Sequence, residues 1–138
     1  MIIGYTSGVF DLFHIGHLNL LKNAKGVCDR LIVGVTTDEL VAYKNKRAVI
    51  PFEERLEIVR SIKYVDAAVP QSDMNKLEMC LKLKASVLIV GDDWYRHEKW
   101  QVYEEELKKE GIQIIYFPYT KSISSTLVNN TLKYLRNE

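Results

Sequence analysis

Residues 1 to 25 read MIIGYTSGVFDLFHIGHLNLLKNAK, and this stretch decides the fold. An apolar strand opens at its beginning, and a glycine-containing turn follows. Apolar residues then recur at the spacing of one helix face, at Leu18, Leu21 and Ala24. The pattern predicts a buried strand that turns sharply into an amphipathic helix. We take this unit as the first of an alternating strand and helix fold.

Two of the chain's three histidines, His14 and His17, lie where the strand turns into the helix. A helix start offers free backbone N–H donors and a positive dipole end. Glycines at Gly8 and Gly16 let a ligand approach the backbone closely. A bare pair of histidines is often structural, but the order of strand, glycine turn and histidines favours another interpretation. It predicts a site that holds a polyphosphate and stabilises charge that develops on it.

Four further apolar runs alternate with helical periods, at residues 31–35, 67–69, 87–90 and 112–117. We therefore predict an α/β fold, a Rossmann-like, doubly wound, mostly parallel five-stranded sheet with helices on both faces. Residues 1–138 form a single domain in this interpretation. Ligands of such sheets bind beyond the carboxyl ends of the strands, where the winding direction reverses.

Composition excludes several classes of function. The net charge of +1 gives no basic surplus that would indicate nucleic acid as a partner. No apolar run approaches the roughly 18 residues that span a membrane, and the N-terminus does not have the pattern of a signal peptide. Cys28 and Cys80 lie in no motif, so we predict free thiols and a cytoplasmic protein.

The segment from Gly8 to His17 resembles the signature of the cytidylyltransferase family in the nucleotidyltransferase superfamily. The likeness runs nearly from end to end of the chain and is strongest to the family's glycerol-3-phosphate cytidylyltransferases. It includes KNKR at 44–47, Arg55, KYVD at 63–66, GDDW at 91–94 and TKSISST at 120–126.

The resemblance implies a reaction in which an oxygen of a phosphate monoester attacks the α-phosphorus of CTP. Pyrophosphate leaves, a CDP-linked product forms, and no covalent intermediate is needed. Glycerol 3-phosphate is the leading acceptor, ahead of phosphocholine, phosphoethanolamine and other polyol phosphates. The expected partners are CTP, a small phosphate ester and a second copy of the chain in a homodimer, with no nucleic acid and no membrane. Mg²⁺ is expected to accompany the triphosphate.

The resemblance also implies roles for individual residues. The side chains implied to act on the reacting phosphates are His14, His17, Lys44 and Lys46. Nucleotide contacts are implied for Ser7, Gly8, Val9, Phe10, Asp11, Gly16, Asp92, Thr120, Ser124, Ser125 and Thr126. Acceptor contacts are implied for Lys44, Arg55, Lys63, Asp93 and Trp94.

The residues alone leave alternatives open for several of these positions. Residues 44–47 could be a solvated run of charge. Asp92 and Asp93 could ligate Mg²⁺. Arg55 and Lys63 could form surface salt bridges, and Asp11 could serve only to form its turn.

Two helix starts lack the acidic residues that usually complement the helix dipole. Residues 14–25 and 124–130 contain no Asp or Glu, whereas the helix expected after Pro51 carries Glu53 and Glu54 in its first turn. An anion at a helix start needs that place left empty. Both helices coincide with phosphate-binding positions of the family.

The chain departs from the family at Tyr119, where the family has an arginine that grips the nucleotide phosphates. Tyrosine cannot replace a forked positive charge, although Lys121 could supply charge nearby. Two alternatives to a cytidylyltransferase therefore stay open. One is an adenylyltransferase that uses ATP, and the other is a degenerate module that binds a nucleotide without turnover.

Overall fold

A computed structural model describes residues 1–43, 45–91 and 98–118 of the chain. Strands and helices alternate along it. The strands are β1 (Ile3–Gly8), β2 (Arg30–Thr36), β3 (Ala67–Gln71), β4 (Val87–Gly91) and β5 (Gln113–Phe117). The helices are α1 (Ile15–Lys25), α2 (Asp38–Tyr43), α3 (Phe52–Arg60), α4 (Lys76–Leu83) and α5 (Glu98–Lys109). None of the helices in these described ranges is long and apolar enough to cross a membrane.

The described strands form one sheet in the order β3-β2-β1-β4-β5, and every neighbouring pair is parallel. The chain winds from β1 outwards to β3 and then crosses to β4 and β5 on the other side. The switch in winding direction therefore lies between β1 and β4. This confirms the predicted α/β fold and the five predicted strands.

Alternating side chains of the central strands pack into two separate cores, because successive residues of a strand point to opposite faces. On one face, Ile32 of β2 and Leu88 of β4 pack with Cys80 of α4 and Leu107 of α5. The other core contains the next residues of the same strands, together with α1 and α3; its buried members include Leu21, Val33, Val59 and Ile89. Helices therefore cover both faces, as predicted. Cys28 and Cys80 are free thiols.

Tyr5 of β1 joins strands that are not neighbours. Its hydroxyl donates a hydrogen bond to Oε1 of Gln71 at the end of β3, and both residues are buried. The side chain passes over Gly34 of the intervening β2, where an added Cβ would collide with the Tyr5 hydroxyl. Gly34 is thus required by the approach of another side chain, and burial raises the pKa of Tyr5 well above its ordinary value.

The carboxyl ends of β1 and β4 border the crevice where a ligand is expected. Within the described residues these strands pair only at Gly4 with Val87 and at Tyr5 with Leu88. The Thr6 hydroxyl then donates to the Ile89 carbonyl at 2.8 Å, in place of a backbone ladder bond. The two strands are therefore less tightly joined at the edge from which the histidine turn leaves.

Candidate functional site

The turn between β1 and α1 is held in an uncommon backbone conformation. Phe10 and Leu12 have φ values of 53° and 50°, in the left-handed region that non-glycine residues seldom adopt. The Phe10 ring is buried and lies over Gly8, where an added Cβ would be 3.2 Å from ring atoms. Gly8 therefore makes room for the Phe10 ring. Non-glycine residues in this conformation cluster at functional sites, where the surrounding structure maintains them.

His14 is the N-cap of α1. Its backbone is extended, and its ring nitrogen Nδ1 accepts a hydrogen bond at 3.0 Å from the backbone N–H of Gly16. The ring of His17 reciprocates, because its Nδ1 accepts from the backbone N–H of His14 at 3.3 Å. The two histidines thus form a capping box, with imidazoles in place of the usual hydroxyl and carboxylate.

These two hydrogen bonds fix the tautomer of each ring. A neutral imidazole has one N–H donor and one acceptor nitrogen. Because Nδ1 accepts in both His14 and His17, the proton of each neutral ring lies on Nε2. Each ring therefore offers one N–H donor on the side away from the helix backbone.

Both rings are held in the neutral form. Burial lowers the pKa of His14, and it lowers the pKa of His17 to about 4, with a further contribution from His14 itself and an opposing one from Asp11. The two rings stack with centroids 3.9 Å apart, so a charge on one disfavours a charge on the other. At neutral pH the pair acts as donors without carrying charge.

The start of α1 is equipped to receive an anion. Its first turn contains no acidic residue, as the sequence predicted. The Nε2 atom of His14 is buried and has no hydrogen-bond partner within the described ranges. An unpartnered buried N–H is costly. A phosphate oxygen would satisfy this donor at the positive end of the helix dipole.

Asp11 was predicted to contact the nucleotide; the structure gives it partners within the protein, and that contact stays a prediction without structural support. Asp11 is buried, and its two carboxylate oxygens accept hydrogen bonds from the backbone N–H groups of Val49 and Ile50 at 2.8 and 2.9 Å. Its partners therefore lie in the loop that precedes α3. The backbone N–H of Gly16, also a predicted nucleotide contact, is directed at His14.

Arg55 was predicted to contact the acceptor, and the structure gives it a different set of partners. Its side chain is fully buried. The guanidinium donates to the carbonyl oxygens of Ile50, Val9 and Thr36 at 2.8, 2.7 and 2.8 Å. It also forms an ion pair of 2.6 Å with Asp38. These bonds use most of the guanidinium N–H groups on protein oxygens, so its contact with an acceptor stays a prediction without structural support.

Two of the predicted lysines, Lys46 and Lys63, lie in the described part of the chain, at opposite edges of the sheet. Lys46 is exposed in the loop between α2 and α3, and its backbone N–H bonds to the carbonyl oxygen of Val41 at 3.2 Å. That loop is joined to the histidine turn through Asp11. Lys63, a predicted acceptor contact, follows the end of α3 and precedes β3, at the amino edge of the sheet, with its ammonium over the Tyr64 ring. It therefore lies at the opposite edge from the histidines, and its contact with an acceptor stays a prediction without structural support.

The remaining predicted site residues lie outside the described residues. These are Lys44, Asp92, Asp93, Trp94, Thr120, Ser124, Ser125 and Thr126, and the unusual Tyr119 lies with them. Ser7 and Val9 are described, half-buried at the carboxyl end of β1. The site is thus defined here by its histidine turn and by the loop attached to it.

Sequence reasoning missed the part that Asp38 plays beside this site. Asp38 accepts from the backbone N–H of Phe52 through Oδ2 at 3.0 Å and from Arg55 through Oδ1, and these bonds, that of Phe52 above all, lower the pKa of its carboxyl. The only signal in the sequence was an acidic residue just after a predicted strand. That position favours a helix start equally well.

A family model described as cytidylyltransferase-like matches residues 5–131. The chain is 33% identical over 128 residues to a glycerol-3-phosphate cytidylyltransferase of Bacillus subtilis. The aligned region covers 92% of this chain and 94% of that protein. It is 38% identical over 119 residues to an FAD synthase of Thermococcus kodakarensis, covering 83% of this chain and 78% of that protein.

A solved structure supports the architecture. It is described as a lipopolysaccharide core biosynthesis protein from Thermoplasma volcanium, and it superimposes with a TM-score of 0.73 at 25% identity. The match covers 89% of this chain and 99% of that one.

Proposed function

Because this chain belongs to the cytidylyltransferase-like family, we propose that it is an enzyme that transfers CMP from CTP to a small phosphate monoester. The products are a CDP-linked compound and pyrophosphate. Glycerol 3-phosphate is the leading acceptor, because the Bacillus subtilis relative is named for it and matches along nearly the whole of both chains. The observation that carries the proposal is the pair of neutral imidazoles with Nε2 donors at the start of α1.

The chemistry follows from those donors. When an acceptor oxygen attacks the α-phosphorus, negative charge builds on the transferred phosphoryl group and on the departing pyrophosphate. His14 and His17 each donate from Nε2 to these oxygens, and their Nδ1 bonds to the backbone hold the rings in place. Donors fixed before the reaction need no reorganisation as the charge develops, and this is the source of their catalytic effect.

The proposal assigns the other contacts from the family resemblance. Lys44 and Lys46 act as point charges on the phosphates of CTP and of the acceptor. Asp93 and Trp94 contact the acceptor. The nucleotide contacts of the C-terminal segment are Thr120, Ser124, Ser125 and Thr126. Support for Lys46 comes from its place in the loop joined to the histidine turn.

Mg²⁺ is proposed to enter with CTP. Within the described ranges no group of three or more His, Cys, Asp or Glu residues could hold a metal ion. Asp11, the carboxylate of the histidine turn, has both oxygens bonded to backbone N–H groups. We propose that phosphate oxygens and water supply most of the ligands of Mg²⁺, while Asp92 and Asp93, outside the described residues, stay an alternative source of carboxylates. The chemistry of the ion would be to offset phosphate charge.

We propose that the enzyme works in the cytoplasm, as its two free cysteines suggest, and that it forms a homodimer, as the family resemblance implies. Light scattering after size-exclusion chromatography measures the assembly directly. A mass of one chain at micromolar concentration would reject the dimer and leave the proposed reaction untouched.

The decisive experiment is a pyrophosphate-release screen of CTP and ATP, each against a panel of phosphate esters with Mg²⁺. We expect release with CTP and glycerol 3-phosphate, and a loss of at least about 100-fold in the His14→Asn variant. Release with ATP alone would support the adenylyltransferase alternative, which the FAD synthase relative favours. CTP binding by calorimetry without turnover of any ester would support the binding module.

A further inference from the structure

Two charged residues hold the loop before α3 against the histidine turn. Asp11, in the turn, accepts from the backbone N–H groups of Val49 and Ile50. Arg55 donates from Nε to the Ile50 carbonyl and from Nη1 to the Val9 carbonyl, which lies in the same turn. The backbone at Val49 and Ile50 is thus bonded from both sides. We call these four hydrogen bonds the Asp11–Arg55 clamp.

We infer that the Asp11–Arg55 clamp is a positioning device that fixes the loop carrying Lys46 to the turn carrying His14 and His17. Both residues of the clamp are buried, at 6% and 0% relative exposure, so their bonds are shielded from water. Each bond involves a charged group, and such bonds are stronger than neutral ones. Neither residue needs to touch a substrate for this role.

The clamp is tied to the rest of the fold at its Arg55 end. Nη1 also donates to the carbonyl of Thr36, the last residue of β2, and Nη2 pairs with Asp38 at the start of α2. The guanidinium therefore joins the ends of β1 and β2 to the loop between α2 and α3. A buried arginine with oxygen partners on four segments has little freedom to swing towards a ligand.

The inference rests on the proposed function only in its kinetic readout. Loosening the loop lowers the fraction of molecules in which Lys46 is placed to bind phosphate, and apparent affinity falls by that fraction. A purely structural role would instead lower the fraction of folded enzyme and leave KM unchanged. The KM for CTP therefore separates the two roles, provided that kcat is expressed per folded molecule.

The test uses Asp11→Asn, which keeps the shape of the side chain and removes one acceptor oxygen and the charge. We expect amide hydrogen exchange at Val49 and Ile50, measured by NMR without ligand, to accelerate about 10- to 100-fold. We expect the KM for CTP to rise by about tenfold, with a smaller change in kcat. Asp38→Asn is the milder second variant, since the Asp38 side chain is partly exposed, and it should shift KM in the same direction.

Asp66→Asn is the matched control. Asp66 accepts from the backbone N–H of Leu31 at 2.7 Å and pairs with Lys25 at 2.6 Å, but at the amino edge of the sheet. This variant should leave the KM for CTP and the exchange of residues 49–50 unchanged. Unchanged amide exchange at Val49 and Ile50 in Asp11→Asn, or an equal rise of KM in Asp66→Asn, would refute the positioning role of the Asp11–Arg55 clamp.

If the wild type turns over no CTP, the proposed function fails. The exchange rates of Val49 and Ile50 would still test whether the Asp11–Arg55 clamp holds the loop.

Discussion

His14 performs two tasks that a pair of substitutions can separate. Its Nδ1 accepts from the backbone of α1, and its Nε2–H is the donor proposed to face phosphate. Asparagine is among the best N-cap residues, because its side-chain oxygen accepts the same backbone N–H. His14→Asn therefore keeps the cap and removes the distal donor. His14→Ala removes both.

The two variants should differ in stability and agree in activity. Replacing a good N-cap by alanine costs typically about 1 kcal/mol. For a chain of 138 residues the unfolding entropy is on the order of 0.29 kcal/mol/K, so this cost corresponds to about 3 °C in Tm. Loss of one fixed donor to a developing oxyanion lowers kcat by roughly 10²- to 10³-fold, which is about 2.7–4 kcal/mol.

Calorimetric melting and steady-state pyrophosphate release measure the two effects on the same samples. We expect His14→Asn to melt about 3 °C above His14→Ala, with both variants reduced in kcat by a similar factor. Equal melting temperatures would show that the imidazole does not stabilise α1. Near-normal kcat in His14→Asn would show that the Nε2 donor is not used, and the reasoning about the tautomer would fail with it.

Three further outcomes are expected. The pKa of His17 is lowered to about 4, so the unfolded chain binds a proton more readily than the folded one, and the free energy of unfolding should fall as pH drops from about 6.5 towards 4. His17→Gln retains the capping box, and its free energy of unfolding, measured by urea titration, should fall less over this pH range. Lys46→Ala should raise the KM for CTP by about tenfold, whereas Arg47→Ala, the neighbouring exposed cation, should change it much less; equal effects would reject a specific contact. Gly34→Ala should lower the free energy of unfolding by at least about 2 kcal/mol because its Cβ would meet the Tyr5 hydroxyl, and a denaturant titration with wild-type stability would contradict that packing.

The fold was predictable because the apolar runs are short, rich in branched residues and separated by helical periods. The place of the histidine turn was predictable because His14 and His17 follow β1 directly, at the carboxyl edge where parallel sheets bind ligands. The tautomers of His14 and His17 were not predictable, since they depend on which ring nitrogen meets the backbone. The burial of Arg55 was also hidden, because arginine is almost never fully buried unless it is paired.

The prediction for Lys63 has no support from the fold, for a topological reason. It came from the family resemblance alone. A helix that follows the carboxyl end of one strand carries the chain back to the amino edge before the next strand begins. Lys63 follows α3 and precedes β3, so the fold places it away from the carboxyl edge. Topological reasoning from the sequence would have reached the same placement.

The capping box built by His14 and His17 explains why the two histidines are three residues apart. The first residue of a capping box and its third helical residue are the only pair that can exchange these reciprocal bonds. One residue inserted between them would turn the second ring by about 100° around the helix axis and release its Nδ1. Helix initiation and the proposed donation to phosphate therefore depend on the same short segment, which could be grafted as one unit onto another strand and helix junction.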